Sequence, residues 1–133
     1  MDYLNCLASR YSDRTQTIDI GNSVEGRAIK VIKIGRPRAN GSVKPAIWID
    51  GGIHAREWIS PATVEYLVHQ LVTNIHDAPE NKNLVENFDI YVLPILNQDG
   101  YATCFGFSEL LTLILFTLNR SFKVILSFLL CIL

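Results

Sequence analysis

The sequence predicts an α/β fold built around a central βαβ unit. Three observations carry that reading. Ala46-Ile47-Trp48-Ile49-Asp50 is an apolar run of strand length and reads as a buried strand. After Pro61, the residues Val64, Leu67, Val68, Leu71, Val72 and Ile75 recur at i, i+3, i+4, i+7, i+8 and i+11, one continuous apolar stripe on a helix. Residues 88–96, Phe-Asp-Ile-Tyr-Val-Leu-Pro-Ile-Leu, are nearly all apolar, as expected of a strand covered on both faces. Strand, helix, strand in this order gives parallel strands joined by a right-handed crossover. Sites in such sheets lie at the carboxyl ends of the strands. The turns after the two strands, at His54 and at Asn97, therefore fall on the same edge of the sheet.

The remaining elements follow in order. Leu4, Leu7, Ala8 and Tyr11 recur at helical spacing, which predicts a short helix over residues 3–11. Residues 17–20 read as a strand entering the turn at Gly21, and residues 27–34 as its partner, with Glu25-Gly26 as the hairpin turn. Glu25 and Arg27 read first as a local ion pair on a surface turn, and second as the edge of a substrate groove. Residues 35–45, rich in Gly, Pro, Asn and Ser, form a loop whose basic side chains are expected in solvent. Ser60 is expected to cap the long helix with Pro61 at its first position, and the helix is expected to end near Asn74. The polar segment 77–87 reads as a loop with at most one helical turn.

At 133 residues the chain makes at most one domain, long enough to bury a core. A formal net charge of -1 provides no basic field to neutralise phosphates, which excludes nucleic acid as a partner. The three cysteines, Cys6, Cys104 and Cys131, are odd in number and include no close pair, so neither a cysteine-based zinc site nor a disulfide framework follows. Met1-Asp2-Tyr3-Leu4-Asn5-Cys6 lacks a basic region followed by an apolar run, so no secretory signal is read at the start.

The chemistry concentrates in Gly51-Gly52-Ile53-His54-Ala55-Arg56-Glu57-Trp58-Ile59-Ser60. A His and a Glu separated by two residues, on a Gly-rich turn at a strand end, can bring an imidazole nitrogen and a carboxylate oxygen to one metal ion. Zinc accepts that mixture of donors. The run from His54 to Ala62 resembles the zinc-binding segment of the metallocarboxypeptidases of the pancreatic A/B type. Two flanking motifs agree. Gly21-Asn22-Ser23-Val24-Glu25-Gly26-Arg27 is similar to that family's Gly-x-Ser-x-Glu-Gly-Arg turn, and Asn97-Gln98-Asp99-Gly100-Tyr101 to its Asn-Pro-Asp-Gly-Tyr turn, with Gln98 where Pro is usual. The motifs come in the right order and cover roughly residues 3–101.

The resemblance implies a partial mixed-sheet α/β/α domain, truncated to about the first third of the family's catalytic domain over residues 1–101. It implies a zinc-dependent peptidase that hydrolyses C-terminal peptide bonds, releases single amino acids, and takes peptide or protein C-termini as substrate. It makes His54 and Glu57 metal ligands for Zn²⁺ and sets Arg56 on the substrate path. It also implies a secreted protein. A working site needs three protein ligands and a general base. The family's third ligand, carboxylate-gripping arginines, capping tyrosine and general-base glutamate all lie beyond the resemblance. His69 and His76 fall off the apolar stripe and are expected in solvent, and His69 sits roughly 13 Å along the helix from its start. Glu109 is a formal candidate base that no motif supports. The chain as written is therefore expected to be inactive alone.

Residues 102–133 read as a divergent hydrophobic tail, expected to arise by read-through or a mis-joined exon. Its two apolar pieces, over residues 110–118 and 124–133, are each shorter than the ~20 residues that span a bilayer. Joined, they would bury Arg120 and Lys123 at about 2.5 to 3.5 kcal/mol each, which disfavours membrane association through residues 110–133. The alternative function is a non-catalytic membrane-associated or interaction product that docks through this tail.

Overall fold

A computed structural model describes residues 2–104 of the chain. The expectations placed on the tail, including Glu109, Cys131 and the apolar pieces of residues 110–133, lie outside the described residues. Residues 1–101 form one compact unit. Its elements run α1 (Asp2–Arg10), β1 (Thr15–Asn22), β2 (Ala28–Ile34), β3 (Ala46–Asp50), α2 (Ile59–Thr73), α3 (Pro79–Asn87) and β4 (Asp89–Leu93).

The four strands make one mixed sheet in the order β1-β2-β4-β3. β1 and β2 form an antiparallel hairpin, closed by a turn in which Gly26 takes φ +81°. β2 pairs antiparallel with β4, and β3 pairs parallel with β4 from Ala46↔Asp89 to Asp50↔Leu93. The parallel pair and the intervening helix are the expected βαβ unit. Both carboxyl ends of that pair, and so the His54 and Asn97 segments, lie at one edge.

Strand register explains the core. Ile32 sits opposite Val92 and Ile34 opposite Ile90, while Ile47 and Ile49 of β3 face Ile90 and Val92. Side chains alternate along a strand, so these residues share one face. That face meets Leu4 and Leu7 of α1, Val64, Val68, Leu71 and Val72 of α2, Ile75 just after it, and Val85 of α3. The helical stripe read from the sequence is thus the buried face of α2.

Four expectations need correction. β3 is not a buried strand: it is one of the two edge strands of the sheet among the described residues, and its Trp48, on the face opposite Ile47 and Ile49, is 54% exposed. A strand with one neighbour leaves one flank open. β4 is shorter than residues 88–96, because after Leu93 the chain turns at Pro94 and its amides bond to the loop after β3 instead; within β4, Asp89 and Tyr91 are half-buried rather than covered. Residues 79–87 form a full helix, α3, with Pro79 at its start. Only Leu84 and Val85 give it an apolar side, too few for a periodic signal, yet Val85 is fully buried. Finally, Lys44 is not in solvent.

Lys44 stands just before β3 and is 6% exposed. Its Nζ donates to the carbonyls of Val85 (3.1 Å) and Phe88 (2.8 Å) at the end of α3, where carbonyls lack helical partners and favour a cation. It also pairs with Asp89 at 3.0 Å, beside Lys33 at 2.9 Å. Burial alone would push the Asp89 carboxyl up, but hydrogen bonds from Lys33 and Lys44 outweigh it and hold the group below the ordinary carboxylate range. Arg38 is half-buried, its Nη1 donating to Ser42 Oγ and Val43 O within the loop, and Arg36 pairs with Asp13 at the surface.

Lys44→Met is expected to destabilise the fold by about 2 kcal/mol, since Phe88 O loses a donor and Asp89 one of two cations. Urea unfolding monitored by Trp fluorescence measures it, and an unchanged midpoint would show that Lys44 contributes nothing.

Candidate metal centre

The loop after β3 begins with Gly51 and Gly52. Gly52 has φ +66°, which side-chain-bearing residues rarely adopt, and a Cβ there would lie 3.1 Å from Pro61 Cγ. Its N–H donates to Ser60 Oγ at 3.1 Å. This bond explains a departure from expectation. Ser60 does not cap α2, which starts at Ile59 with Trp58 in the cap position and no side-chain cap. The Ser60 hydroxyl lies inside the first turn and fastens the glycine loop to the helix.

Between those anchors, Glu57 N–H donates to His54 O at 3.1 Å, and Ser60 N–H to Glu57 O at 3.0 Å. His54-Ala55-Arg56-Glu57 is therefore a hydrogen-bonded turn that leads into α2. It keeps an imidazole and a carboxylate three residues apart on one short stretch of backbone. His54, Arg56 and Glu57 are all exposed. Among the described residues, no hydrogen bond or ion pair occupies their side chains.

The loop after β4 holds this turn from the side. Leu96 N–H donates to Gly51 O at 2.8 Å and Asn97 N–H to Gly52 O at 3.0 Å, with Asn97 Nδ2 reaching Ile53 O at 3.4 Å. Residues 98–104 are helical, not a simple turn, because Asn97 caps them: its Oδ1 accepts the Gly100 N–H at 3.0 Å. Gly100 is also where the two loops touch, since a Cβ there would lie 2.9 Å from Ala55 Cβ. Trp58 and Tyr101 add a tilted ring contact with centroids 6.5 Å apart.

The third motif joins through Asp99. Ser23 Oγ donates to Asp99 Oδ1 at 2.7 Å and Glu25 N–H to Asp99 Oδ2 at 3.1 Å, and Arg27 pairs with Asp99 as well as with Glu25. The Glu25–Arg27 surface pair was legible in the sequence. The third partner 72 residues away was not. The Ser23 hydrogen bond first, then the Glu25 amide and Arg27, hold the Asp99 carboxyl below the ordinary range against burial.

Gln98 departs from this pattern of satisfied groups. It is 6% exposed, and among the described residues its Nε2 has no hydrogen-bond partner. It occupies the first helical position after the Asn97 cap, where Pro fits without losing a hydrogen bond.

The other histidines stand apart. His69 and His76 are exposed, as expected, and His69 Nδ1 bonds the Tyr3 hydroxyl at 2.8 Å, tying α2 to α1. No cluster of three His, Cys, Asp or Glu side chains suited to a metal occurs among the described residues. The donor types of His54 and Glu57 fit zinc as two ligands of an incomplete set.

The zinc carboxypeptidase family model matches residues 1–121. The chain belongs to the zinc carboxypeptidase family. The match runs past Tyr101, where the sequence motifs stop, into the segment expected to depart from the family. Carboxypeptidase B of Astacus astacus is 44% identical over 103 residues, covering 77% of this chain and 32% of that protein. The inactive metallocarboxypeptidase ECM14 of Paracoccidioides brasiliensis (strain Pb03) is 40% identical over 100 residues, covering 74% of this chain and 17% of that protein. Among solved structures, thrombin activatable fibrinolysis inhibitor superposes with a TM-score of 0.70 at 36% identity, covering 75% of this chain and 24% of that one. The chain spans a third or less of the length of these relatives. Within that span the mixed α/β sheet is the carboxypeptidase family's own.

Two outcomes follow. Gln98→Pro is expected to raise stability by about 1–2 kcal/mol, by removing an unsatisfied buried donor and stiffening the unfolded chain. A lowered urea midpoint would contradict that. Because the folded Asp99 carboxyl lies below its ordinary value of 3.8, its contacts add stability above that pH and lose it as pH falls through the folded value. Asp99→Asn is expected to reduce the fall in urea midpoint between about pH 6 and about pH 3, leaving the slope due to Asp89 and Asp13. An unaltered slope would contradict the assignment.

Proposed function

We propose that this chain is the part of a zinc-dependent carboxypeptidase that supplies two metal ligands, His54 and Glu57, with Arg56 facing the substrate. The observation that carries the reading is the hydrogen-bonded turn from His54 to Glu57, which presents an uncommitted imidazole and carboxylate at the carboxyl edge of the βαβ unit. Zinc held there would supply a Lewis acid that polarises a scissile carbonyl and lowers the pKa of water to about 7.

The chain's own residues have the following tasks. His54 offers a ring-nitrogen lone pair, and Glu57 a carboxylate whose negative charge offsets part of the cation's. Arg56, between them in sequence and exposed, offers a planar fork of N–H donors suited to a peptide carboxylate or carbonyl. Asn97 and Gly52 fix the backbone that carries all three through the hydrogen bonds at 3.0 and 3.4 Å. The substrate class under this reading is the C-terminus of a peptide or protein, from which one amino acid is released.

Turnover requires more than this set. Three protein ligands and a general base complete such a site. His69 does not supply the third ligand, since it sits on α2 and is bonded to Tyr3. A relative described as inactive matches the same stretch, so this stretch alone does not specify turnover.

The test is metal binding by the purified full chain, followed by Co²⁺ absorption and by calorimetry with Zn²⁺. His54→Ala and Glu57→Ala are each expected to weaken binding at least tenfold, and His69→Ala to leave it unchanged. No release of C-terminal amino acids is expected from the chain by itself. Binding that survives His54→Ala but is lost in His69→Ala would overturn the ligand assignment, and zinc-dependent release would overturn the incomplete-site reading.

A further inference from the structure

We propose that Asn40 is an acceptor for an N-linked glycan. The loop between β2 and β3 contains Asn40-Gly41-Ser42, an Asn-x-Ser triplet without Pro at its centre. In many chains such a triplet is buried in a strand or helix and cannot be reached. Here all three residues are exposed, in a loop that has no regular structure.

The local geometry suits the reaction. Ser42 N–H donates to Asn40 Oδ1 at 3.1 Å, which folds the triplet into an Asx turn. Gly41 has φ +68°, and its N–H bonds to Arg38 O at 3.0 Å, so the turn is held from both ends. The amide oxygen of Asn40 is thereby engaged, while among the described residues its Nδ2 bonds to nothing. The Ser42 hydroxyl points to the same loop, where Arg38 Nη1 donates to it at 3.3 Å. In the transfer, Asn40 Nδ2 attacks the anomeric carbon of a lipid-pyrophosphate-linked oligosaccharide. A C–N bond forms, the C–O bond to pyrophosphate breaks, and the proton lost from Nδ2 leaves with the pyrophosphate or solvent.

The position in the fold favours a glycan that does not obstruct the candidate metal centre. The loop joins the end of β2 to the start of β3, at the amino-terminal ends of the parallel strands. The His54 turn leaves the other end of β3, so the length of that strand, about 16 Å at 3.3 Å per residue, lies between them. A bulky sugar would therefore cover the loop edge and leave the metal-bearing edge open.

The sequence contains a second triplet, Asn119-Arg120-Ser121, outside the described residues. The experiment therefore uses the full chain carrying Asn119→Gln, translated behind a cleavable signal sequence into endoplasmic-reticulum microsomes. The expected result is a mobility shift of one glycan that peptide N-glycosidase removes. The shift is lost in Asn40→Gln and in Ser42→Ala, and kept in Ser42→Thr. Ser42→Thr keeps the hydroxyl, so its retained shift separates loss of the triplet from a general defect of the chain. A translocated, signal-cleaved chain with no shift, or a shift that persists in Asn40→Gln, would overturn the proposal.

Discussion

Two backbone hydrogen bonds, from Leu96 to Gly51 O and from Asn97 to Gly52 O, fix the relation between the loops that leave β3 and β4. Parallel strands deliver both loops to one edge of the sheet, but strands alone would leave the loops free to diverge. These bonds lock them side by side, and the remaining features follow. Gly52 must be glycine because its backbone turns into a conformation that a side chain disfavours, against Pro61. Gly100 must be glycine because the Asn97 helix start then lies against Ala55. The His54–Glu57 turn is short because Ser60 has already fastened Gly52 to α2.

Asp99 extends this platform to the β-hairpin. Ser23, the Glu25 amide and Arg27 all converge on one carboxylate, and the three motifs, with partners up to 76 residues apart, become a single hydrogen-bonded surface. Each interaction is exposed or half-exposed, so each is individually modest. Their joint effect is positional: they determine which backbone carries the imidazole and the carboxylate. The buried ionic group lies elsewhere, where Lys44 ties α3 to the start of β4 at the opposite end of that strand.

Much of this was legible in the sequence, and the reasons differ by element. α2 was legible because six apolar residues at helical spacing leave little choice of buried face. The βαβ order and the shared edge followed from connectivity. The motifs singled out His54, Arg56 and Glu57, and connectivity put their turn on the same edge as the Asn97 turn; the convergence on Asp99 was not legible. The rest depended on tertiary partners. Lys44 reads as a loop cation because nothing local reveals the α3 carbonyls that surround it. α3 reads as a loop because it buries one residue, Val85, rather than a stripe. Ser60 reads as a cap because its true partner, the Gly52 amide, comes from a turn whose shape is set by β4. β3 reads as buried because its composition is that of an interior strand, yet only Ile47 and Ile49 face the core while Trp48, on the opposite face, is exposed.

The central claim is that the His54 turn, held by the loop after β4, is where this chain meets a metal. Paramagnetic broadening of backbone amide signals by Co²⁺ tests it most directly, because the effect falls off steeply with distance from the ion. The account predicts broadening centred on residues 52–58, extending to residues 97–101, with the amides of residues 36–44 and of His69 unaffected. Broadening centred on His69 or His76, or none at saturating Co²⁺, would contradict it.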